Sequence, residues 1–118
     1  MSGRLTTHVL DTTNGTPGAG VAIALYRVEH GGRELLGRHT TNADGRCDAP
    51  LLEGAALAVG VYELDFRVGD YFAMRGLSAA EPRFLDVVTV RFGVSDPDRH
   101  HHVPLLVSPY GYSSYRGS

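Results

Sequence analysis

The stretch His102-Val-Pro-Leu-Leu-Val107 is apolar on both faces of an extended chain. Successive side chains of a β-strand point to opposite faces of the sheet, so three aliphatic side chains share one face. A histidine, a proline and a leucine share the other. The first face holds Val103, Leu105 and Val107, and the second holds His102, Pro104 and Leu106. The aliphatic face predicts the core of a β-sandwich on that side.

The N-terminal stretch Leu5-Thr-Thr-His-Val-Leu-Asp11 has the same two-sided character, with Val9 on one face and His8 and Leu10 on the other. An antiparallel sheet of a monomer usually exposes a cleaner polar face to water. We therefore expect the outer face to be covered by another copy of the chain in a symmetric homo-oligomer. Histidines on a covered face are candidates for a catalytic or ligand-binding role.

Short alternating runs separated by turn signals cover most of the chain. Gly and Asn reach positive φ and Pro fixes φ, and such residues recur at 14–18, 30–32, 42–45, 95–98 and 108–111. The runs between them predict strands at residues 5–11, 20–28, 34–41, 60–68, 84–94, 101–107 and 112–116. This pattern predicts a mainly β, antiparallel sandwich.

One stretch departs from strand periodicity, Asp70-Tyr-Phe-Ala-Met-Arg-Gly76. It begins with an acidic residue, contains good helix formers and ends on a glycine where a C-cap would lie. We expect one short α-helix here. A turn should follow at Glu81-Pro82, because the residue before a proline avoids the helical region.

Length and charge limit the classes of protein to which the chain can belong. The 118 residues are expected to form one domain, 1–118, around one hydrophobic core. The formal net charge is −2 and Lys and Arg form no run, so neither a nucleic-acid surface nor a polybasic membrane surface is indicated. No apolar run approaches the ~18 residues of a membrane span. The first residues do not resemble an export signal, so we expect a cytoplasmic protein.

The single cysteine, Cys47, cannot form an internal disulfide. The neighbouring Arg46 could activate it by lowering the thiol pKa. We favour the simpler interpretation, a small and partly buried residue beside a turn.

Six histidines indicate either a metal site or acid–base catalysis. His100 and His102 are two residues apart, on one face of a strand, and His8 could be a third ligand. No carboxylate or cysteine stands at a familiar ligand spacing, so we predict no metal site. The pKa of histidine, about 6.5, suits proton transfer near neutral pH. Four histidines are interpreted as exposed residues of loops or strand ends: His30, His39, His100 and His101.

Four segments carry a resemblance to a known family: residues 5–11, the stretch Asp44-Gly-Arg-Cys-Asp48, the pair Tyr71-Phe72, and residues 102–118. Together they resemble the transthyretin-related 5-hydroxyisourate hydrolases over essentially the full chain. The most specific motif is Tyr115-Arg116-Gly117-Ser118. It resembles the terminal tetrapeptide that distinguishes these hydrolases from transthyretin, the hormone carrier of the same fold.

The resemblance implies a transthyretin-like antiparallel β-sandwich of two four-stranded sheets with one short helix. It also implies a homotetramer whose central channel is lined by the outer strand faces, which agrees with the two-sided strands. The reaction would be the hydrolysis of 5-hydroxyisourate to 2-oxo-4-hydroxy-4-carboxy-5-ureidoimidazoline in urate degradation. The partner is that small-molecule substrate, and neither a cofactor nor a metal is implied.

Amide hydrolysis needs a base for the water, stabilisation of an oxyanion and a proton for the departing nitrogen. By resemblance, His8 and His102 position and deprotonate the water and return its proton. Arg46 would bind an anionic, oxygen-rich heterocycle through paired hydrogen bonds. The expected catalytic residues are His8, Arg46, His102 and Ser118, and the expected substrate-binding residues are His8, Arg46, Tyr115 and Arg116. Arg116 could instead attach the tail to its neighbour.

A binding module without catalysis is the alternative interpretation, because the same fold serves transthyretin as a carrier of small aromatic hormones. Fold alone does not separate the two functions. The presence of His8, Arg46, His102 and the terminal tetrapeptide favours the hydrolase.

Overall fold

The computed structural model describes residues 3–77 and 80–118. In chain order its strands are β1 (Arg4–Asp11), β2 (Thr16–Pro17), β3 (Ala22–Glu29), β4 (Gly32–Thr40), β5 (Leu52–Glu53), β6 (Gly60–Phe66), β7 (Val88–Val94), β8 (His101–Ser108) and β9 (Gly111–Ser114). The α-helix α1 (Val68–Met74) follows β6, and a 3₁₀ turn at Gly54–Ala56 follows β5.

Two sheets form the sandwich. One has the strand order β2-β1-β8-β9, with β5 paired to β1, and the other has the order β4-β3-β6-β7. Within the described residues, the predicted mainly β sandwich with one short helix is confirmed. The first sheet has five strands rather than the expected four, and two of them, β2 and β5, are only two residues long. Strands of that length are too short to leave a periodic signal in the sequence.

The pairing of β1 with β8 is parallel, although the strand pattern predicted antiparallel neighbours. Strands joined by a hairpin must be antiparallel, whereas β1 and β8 lie near opposite ends of the chain and no hairpin sets their direction. In this register Thr6 lies opposite His102 and His8 lies opposite Pro104. The parallel pairing therefore brings the two predicted catalytic histidines to neighbouring strands.

The core lies between the sheets, on the faces that the alternation predicts. Leu5 and Val9 of β1 and Leu105 of β8 are fully buried, whereas His8 and His102 on the outer face are partly exposed. Burying a large aliphatic side chain stabilises a fold by roughly 1.5–3 kcal/mol. The second sheet and the helix complete the core with Tyr62, Leu64, Phe66, Val68 and Phe72. The fold is therefore stabilised by residues other than those predicted for the site.

The helix begins at Val68, two residues before the predicted start, and ends at Met74. Asp70 stands in its first turn, where a negative charge interacts favourably with the helix dipole. Gly76 has a φ of 73° and occupies the left-handed position just past the helix, as predicted. In the part of the chain that the structure describes, no helix has the length and apolarity to cross a membrane.

The strand predicted at 84–94 begins only at Val88. The residues before it form bends, because polar contacts attach them to the helix and to each other. The N–H of Gly69 donates to the carbonyl oxygen of Asp86 (2.9 Å), and the Asp86 side chain pairs with Arg83 (3.1 Å). These contacts keep residues 84–87 out of the strand that their apolar alternation predicted.

The last strand, β9, ends at Ser114 rather than at Arg116 as predicted. Beyond it, Tyr115 and Arg116 lie outside the strand, and Gly117 resumes the register of the β8–β9 pairing through an isolated antiparallel bridge with His102. The end of the chain therefore continues along the edge of β8, beside His102.

Candidate active site

A cavity of about 550 Å³ opens on the outer face of the first sheet. Three segments that are distant in sequence line it: β1, the loop between β4 and β5, and β8 with the chain end. Its lining includes His8, Arg46, His102, Tyr115 and Ser118. The fold thus brings together most of the residues that the sequence predicted for a site.

His102 is held by contacts from two directions. Its Nδ1 lies 2.8 Å from the Thr6 hydroxyl oxygen, and its backbone carbonyl accepts the N–H of Gly117 (2.8 Å). Burial lowers the pKa of His102 below the ordinary 6.5, and the positive charge of Arg46 and the neighbouring histidines lower it further. His102 is therefore neutral near pH 7, which is the form that can accept a proton.

His8 is fixed by a turn of the adjacent loop. Its Nε2 lies 2.8 Å from the backbone carbonyl oxygen of Asp44, and because a carbonyl only accepts, Nε2 carries a proton. In the neutral ring, Nδ1 is then the nitrogen that can accept a hydrogen bond. The loop can come this close because residue 45 is glycine: its φ is +77°, and a Cβ there would clash with the backbone carbonyl oxygen of Val9.

Arg46 is presented by a loop that Asn42 organises. The Asn42 side-chain oxygen accepts the N–H groups of Asp44 (2.9 Å) and Arg46 (3.2 Å), and its amide nitrogen donates to Asp48 (2.8 Å). An isolated antiparallel bridge then joins Arg46 to His8. Arg46 is exposed, so an anionic ligand can reach its guanidinium from solvent.

The chain end closes one side of the cavity. A Cβ at Gly117 would lie 2.5 Å from Cδ2 of His102, so the close packing of this segment on the imidazole requires glycine. Tyr115 and Ser118 flank that contact and both line the cavity. Tyr115 is 60% exposed in the single chain, which leaves its ring available to a ligand.

Arg116 lies outside this cavity, although the sequence placed it among the substrate-binding residues. It is exposed and lines two adjacent depressions, one with His100 and Ser118 and one with residues of β7. Its two possible roles, substrate binding and attachment of the tail, stay predictions.

Two residues that were not among the expected catalytic or substrate-binding residues line the cavity, Thr6 and His100. Thr6 contacts His102, and its position depends on the parallel register, for which the sequence contains no local signal. His100 was interpreted as an ordinary exposed histidine, but it lines the cavity. Its ring lies nearly parallel to that of His102, with centroids 6.2 Å apart. The two-residue spacing of these histidines was the available signal.

The other histidines have varied environments. His30 is exposed as expected, and His39 is partly buried. The expectation for His101 was wrong: it is 9% exposed, because it begins β8 on the core side, and its Nδ1 lies 2.9 Å from the carbonyl oxygen of Arg99. His101 is thus a structural residue.

The expectation for Cys47 agrees with its surroundings. It is half-buried beside the loop that carries Arg46. Burial raises the pKa of its thiol, and the nearby Asp48 raises it further. A thiol in this state is protonated at neutral pH and a poor nucleophile.

Imidazole, guanidinium and hydroxyl groups dominate the lining of the cavity. Among residues 3–77 and 80–118, no three His, Cys, Asp or Glu side chains are grouped closely enough to hold a metal ion. Imidazoles can transfer protons near neutral pH, and a guanidinium can bind a planar anion through two hydrogen bonds. The arrangement can therefore bind a flat anionic molecule and transfer protons to or from it.

Comparisons with known proteins extend over the whole fold. The model of the HIUase/Transthyretin family matches residues 5–117. A 5-hydroxyisourate hydrolase of Ralstonia nicotianae is 61% identical over 98% of this chain and 99% of its own. The solved structure of (S)-allantoin synthase has a TM-score of 0.93 and 46% identity over 99% of this chain, which spans only 44% of that protein. The structure of a Klebsiella pneumoniae 5-hydroxyisourate hydrolase has a TM-score of 0.81 and 35% identity, over 98% of this chain and 99% of its own.

Proposed function

The chain belongs to the HIUase/Transthyretin family, and on that premise we propose that it is an enzyme that hydrolyses 5-hydroxyisourate. The observation that carries the proposal is the convergence of His8, Arg46 and His102, from three separate segments, on one cavity. The names of the relatives at 61% and 35% identity support the same activity. A carrier would need no proton-transfer groups in its cavity, so the arrangement favours the enzyme over the carrier.

In the proposed reaction a water oxygen bonds to a ring carbonyl carbon, and the adjacent carbon–nitrogen bond breaks. Neutral His102 takes a proton from the water and later delivers it to the departing nitrogen. His8 positions the water, because its Nε2 proton is bound to the Asp44 carbonyl and its Nδ1 can accept a hydrogen bond. The water thus supplies a hydroxyl group to carbon and a proton to nitrogen.

Arg46 supplies positive charge to the site. Its guanidinium can bind two oxygens of a flat heterocycle at once, and it stabilises the negative charge that develops on the attacked carbonyl oxygen. After burial, its charge is the next cause of the lowered pKa of His102. One residue therefore both binds the substrate and helps to keep the base unprotonated.

The chain end completes the site in this proposal. Ser118 orients a histidine through its hydroxyl, and Tyr115 forms a wall against the substrate ring; the position of both residues in the cavity lining supports these roles. Arg116 holds the tail against a neighbouring chain. Its position outside the lining of the main cavity favours that role over substrate binding.

The proposal includes a homotetramer of single-domain chains, 1–118, that acts in the cytoplasm. The support for the assembly is the outer face of the first sheet, where Leu10 and Leu106 stay partly exposed in the single chain. Apolar side chains on such a face are covered when identical surfaces meet about a two-fold axis. Analytical ultracentrifugation tests the assembly.

The first test of the activity is kinetic. 5-Hydroxyisourate is generated in situ from urate with a urate oxidase, and its near-ultraviolet absorbance is followed with and without the protein, with a chelator in a parallel sample. We expect decay far above the spontaneous rate and unchanged by the chelator. Decay at the spontaneous rate in the presence of the folded protein would overturn the proposal. Binding of thyroxine-like ligands would then test the carrier.

A further inference from the structure

A threonine hydroxyl lies between two imidazole rings at the edge of the cavity. Thr6 Oγ1 is 2.8 Å from Nδ1 of His102 and 3.2 Å from Nε2 of His100. The two rings are nearly parallel, with an interplanar angle of 12°. One hydroxyl group therefore contacts a nitrogen of each ring.

The backbone builds this arrangement. Thr6 pairs with His102 in the parallel register of β1 and β8, and His100 lies on the same side as His102 because side chains alternate along an extended chain. The branched Cβ of threonine restricts its rotamers, which limits the positions of the oxygen. A hydroxyl has one proton and two lone pairs, so Thr6 can donate to only one of the two rings.

The direction of these hydrogen bonds decides which nitrogen of His102 can act as a base. If Thr6 donates to Nδ1, the neutral ring carries its proton on Nε2 and presents a donor to the cavity. If Thr6 accepts from Nδ1–H, Nε2 keeps its lone pair. In that second arrangement the hydroxyl proton is available to Nε2 of His100.

We propose that Thr6 and His100 are positioning residues that hold the proton of neutral His102 on Nδ1, so that Nε2 is left as the base of the site. Thr6 accepts from His102 and donates to His100. This inference rests on the proposed function and deepens it, because it names the residues that select the tautomer of the base.

The charge of Arg46 favours this direction. A cation on the cavity side of His102 attracts a lone pair on Nε2 and disfavours an N–H dipole that points towards it. Burial and Arg46 both lower the pKa of His102, so the neutral ring, whose tautomer is in question, is the form present at neutral pH. The other titratable side chains around the cavity are Arg4, His8, Cys47, Asp48, His100 and Tyr115. Of these, the Asp48 carboxylate already accepts a hydrogen bond from Asn42.

The kinetic test uses two substitutions at Thr6 and a matched control. Thr6→Val keeps the branched shape and removes the hydroxyl, whereas Thr6→Ser keeps the hydroxyl. With 5-hydroxyisourate as substrate we expect Thr6→Val to lower kcat roughly 10–100-fold, by analogy with the loss of hydrogen-bond partners that orient metal-ligating histidines, with KM nearly unchanged. Thr6→Ser should restore most of kcat. Thr40→Val, an exposed threonine of β4 in the other sheet, should have no effect.

A spectroscopic readout separates the inference from the proposed function. Long-range nitrogen–proton NMR correlations distinguish protonated from unprotonated ring nitrogens, and the signals of His102 are identified by their loss in His102→Gln. At neutral pH we expect His102 to carry its proton on Nδ1. The population should shift towards the Nε2–H tautomer in Thr6→Val. A smaller shift is expected in His100→Phe, which keeps a flat ring without an acceptor.

The outcomes distinguish the two ideas. A proton on Nε2 of His102 in the unsubstituted protein would overturn the inference, whether or not that protein hydrolyses 5-hydroxyisourate. A proton on Nδ1 in an inactive protein would support the inference and overturn only the proposed function. Equal loss of kcat in Thr6→Val and Thr6→Ser would show that the hydroxyl is not the cause, and an unchanged tautomer in His100→Phe would overturn the part assigned to His100.

Discussion

The outer faces of the two sheets both carry clusters of polar side chains, and they use them differently. On the second sheet, Nη1 of Arg33 lies 3.0 Å from a carboxylate oxygen of Glu63 and 3.0 Å from one of Asp65. Arg91 lies 2.8 Å from the other oxygen of Glu63. Each of these charges has an opposite charge as its partner, so the cluster is neutralised from within.

The cluster on the first sheet is held by neutral partners instead. His8 is bound to a backbone carbonyl and His102 to a hydroxyl. Burial and the charge of Arg46 lower the pKa of His102, so the ring stays neutral and keeps a lone pair. A cluster of polar side chains alone therefore does not identify a functional site. His102 is held in a neutral form that can accept a proton, whereas the ion pairs hold Glu63 and Arg33 in their charged forms by lowering the pKa of Glu63 and raising the pKa of Arg33.

Removal of residues 115–118 is expected to have the largest effect on the function of the outer face of the first sheet. We expect turnover to be abolished, because this segment lines the cavity and Gly117 packs on His102. Thermal stability should change little, since Tyr115 and Arg116 are exposed. The decay of 5-hydroxyisourate measures the first effect and thermal unfolding the second.

A point variant narrows the same prediction to one contact. Gly117→Ala places a methyl group against the His102 ring and should also lower turnover, whereas Ser113→Ala, at an exposed position of β9, should not. Loss of the fold on removal of residues 115–118 would contradict the prediction, because the segment would then be structural first.

Substitution of the histidines should have the next largest effect. His8→Asn and His102→Asn should each lower kcat by roughly 10²–10⁴-fold, the usual size of a general acid–base contribution. Both side chains lie outside the core, so the unfolding temperature should be nearly unchanged. His30→Asn, at an exposed loop position, is the matched control. Steady-state kinetics decide, and a near-normal rate in either variant removes that histidine from the mechanism.

The second face should respond in the opposite way, in stability rather than in rate. Glu63→Gln removes the charge that holds Arg33 and Arg91 and should lower the free energy of unfolding by about 1 kcal/mol, with kcat unchanged. The hydrogen bond from Arg91 is the main cause of the lowered pKa of Glu63. The stabilisation that charged Glu63 contributes is therefore present above the ordinary pKa of glutamate. It is lost as the pH falls through the lowered pKa of Glu63 in the folded protein.

Urea unfolding measures this effect. Glu53→Gln, at an exposed position of β5, serves as the control and should leave the free energy of unfolding nearly unchanged. A loss of activity in Glu63→Gln with unchanged stability would mean that the two faces are coupled, and the distinction between them would fail.

The sequence predicts the two-sided strands because alternation is a local property. Val9 and Leu105 lie in the core and His8 and His102 lie outside it, as their positions in the alternating pattern indicate. The roles of the histidines came from a resemblance between motifs. Their placement in one cavity with Arg46 agrees with that resemblance.

The role of Thr6 could not be predicted in the same way. It depends on the parallel pairing of β1 with β8, which joins residues 96 positions apart. No periodicity or turn signal encodes a pairing between strands that no hairpin connects. The late start of β7 at Val88 has a similar origin, because the contact of Gly69 with Asp86 joins that segment to the helix.

The smallest effect is expected in the pH dependence of kcat, on the acidic limb of the profile, when Arg46 is substituted. In the proposed mechanism neutral His102 is the base, so kcat should fall as the pH falls through its pKa, which burial and then Arg46 hold below the ordinary 6.5. Arg46→Gln removes one of these causes, so the limb should move to higher pH, in addition to any loss of substrate binding. Arg38→Gln, on the exposed side of β4, should leave the limb in place. NMR titration of His102 in the same variants follows the pKa directly, and a limb that stays in place in Arg46→Gln while kcat falls would mean that Arg46 acts on the substrate alone.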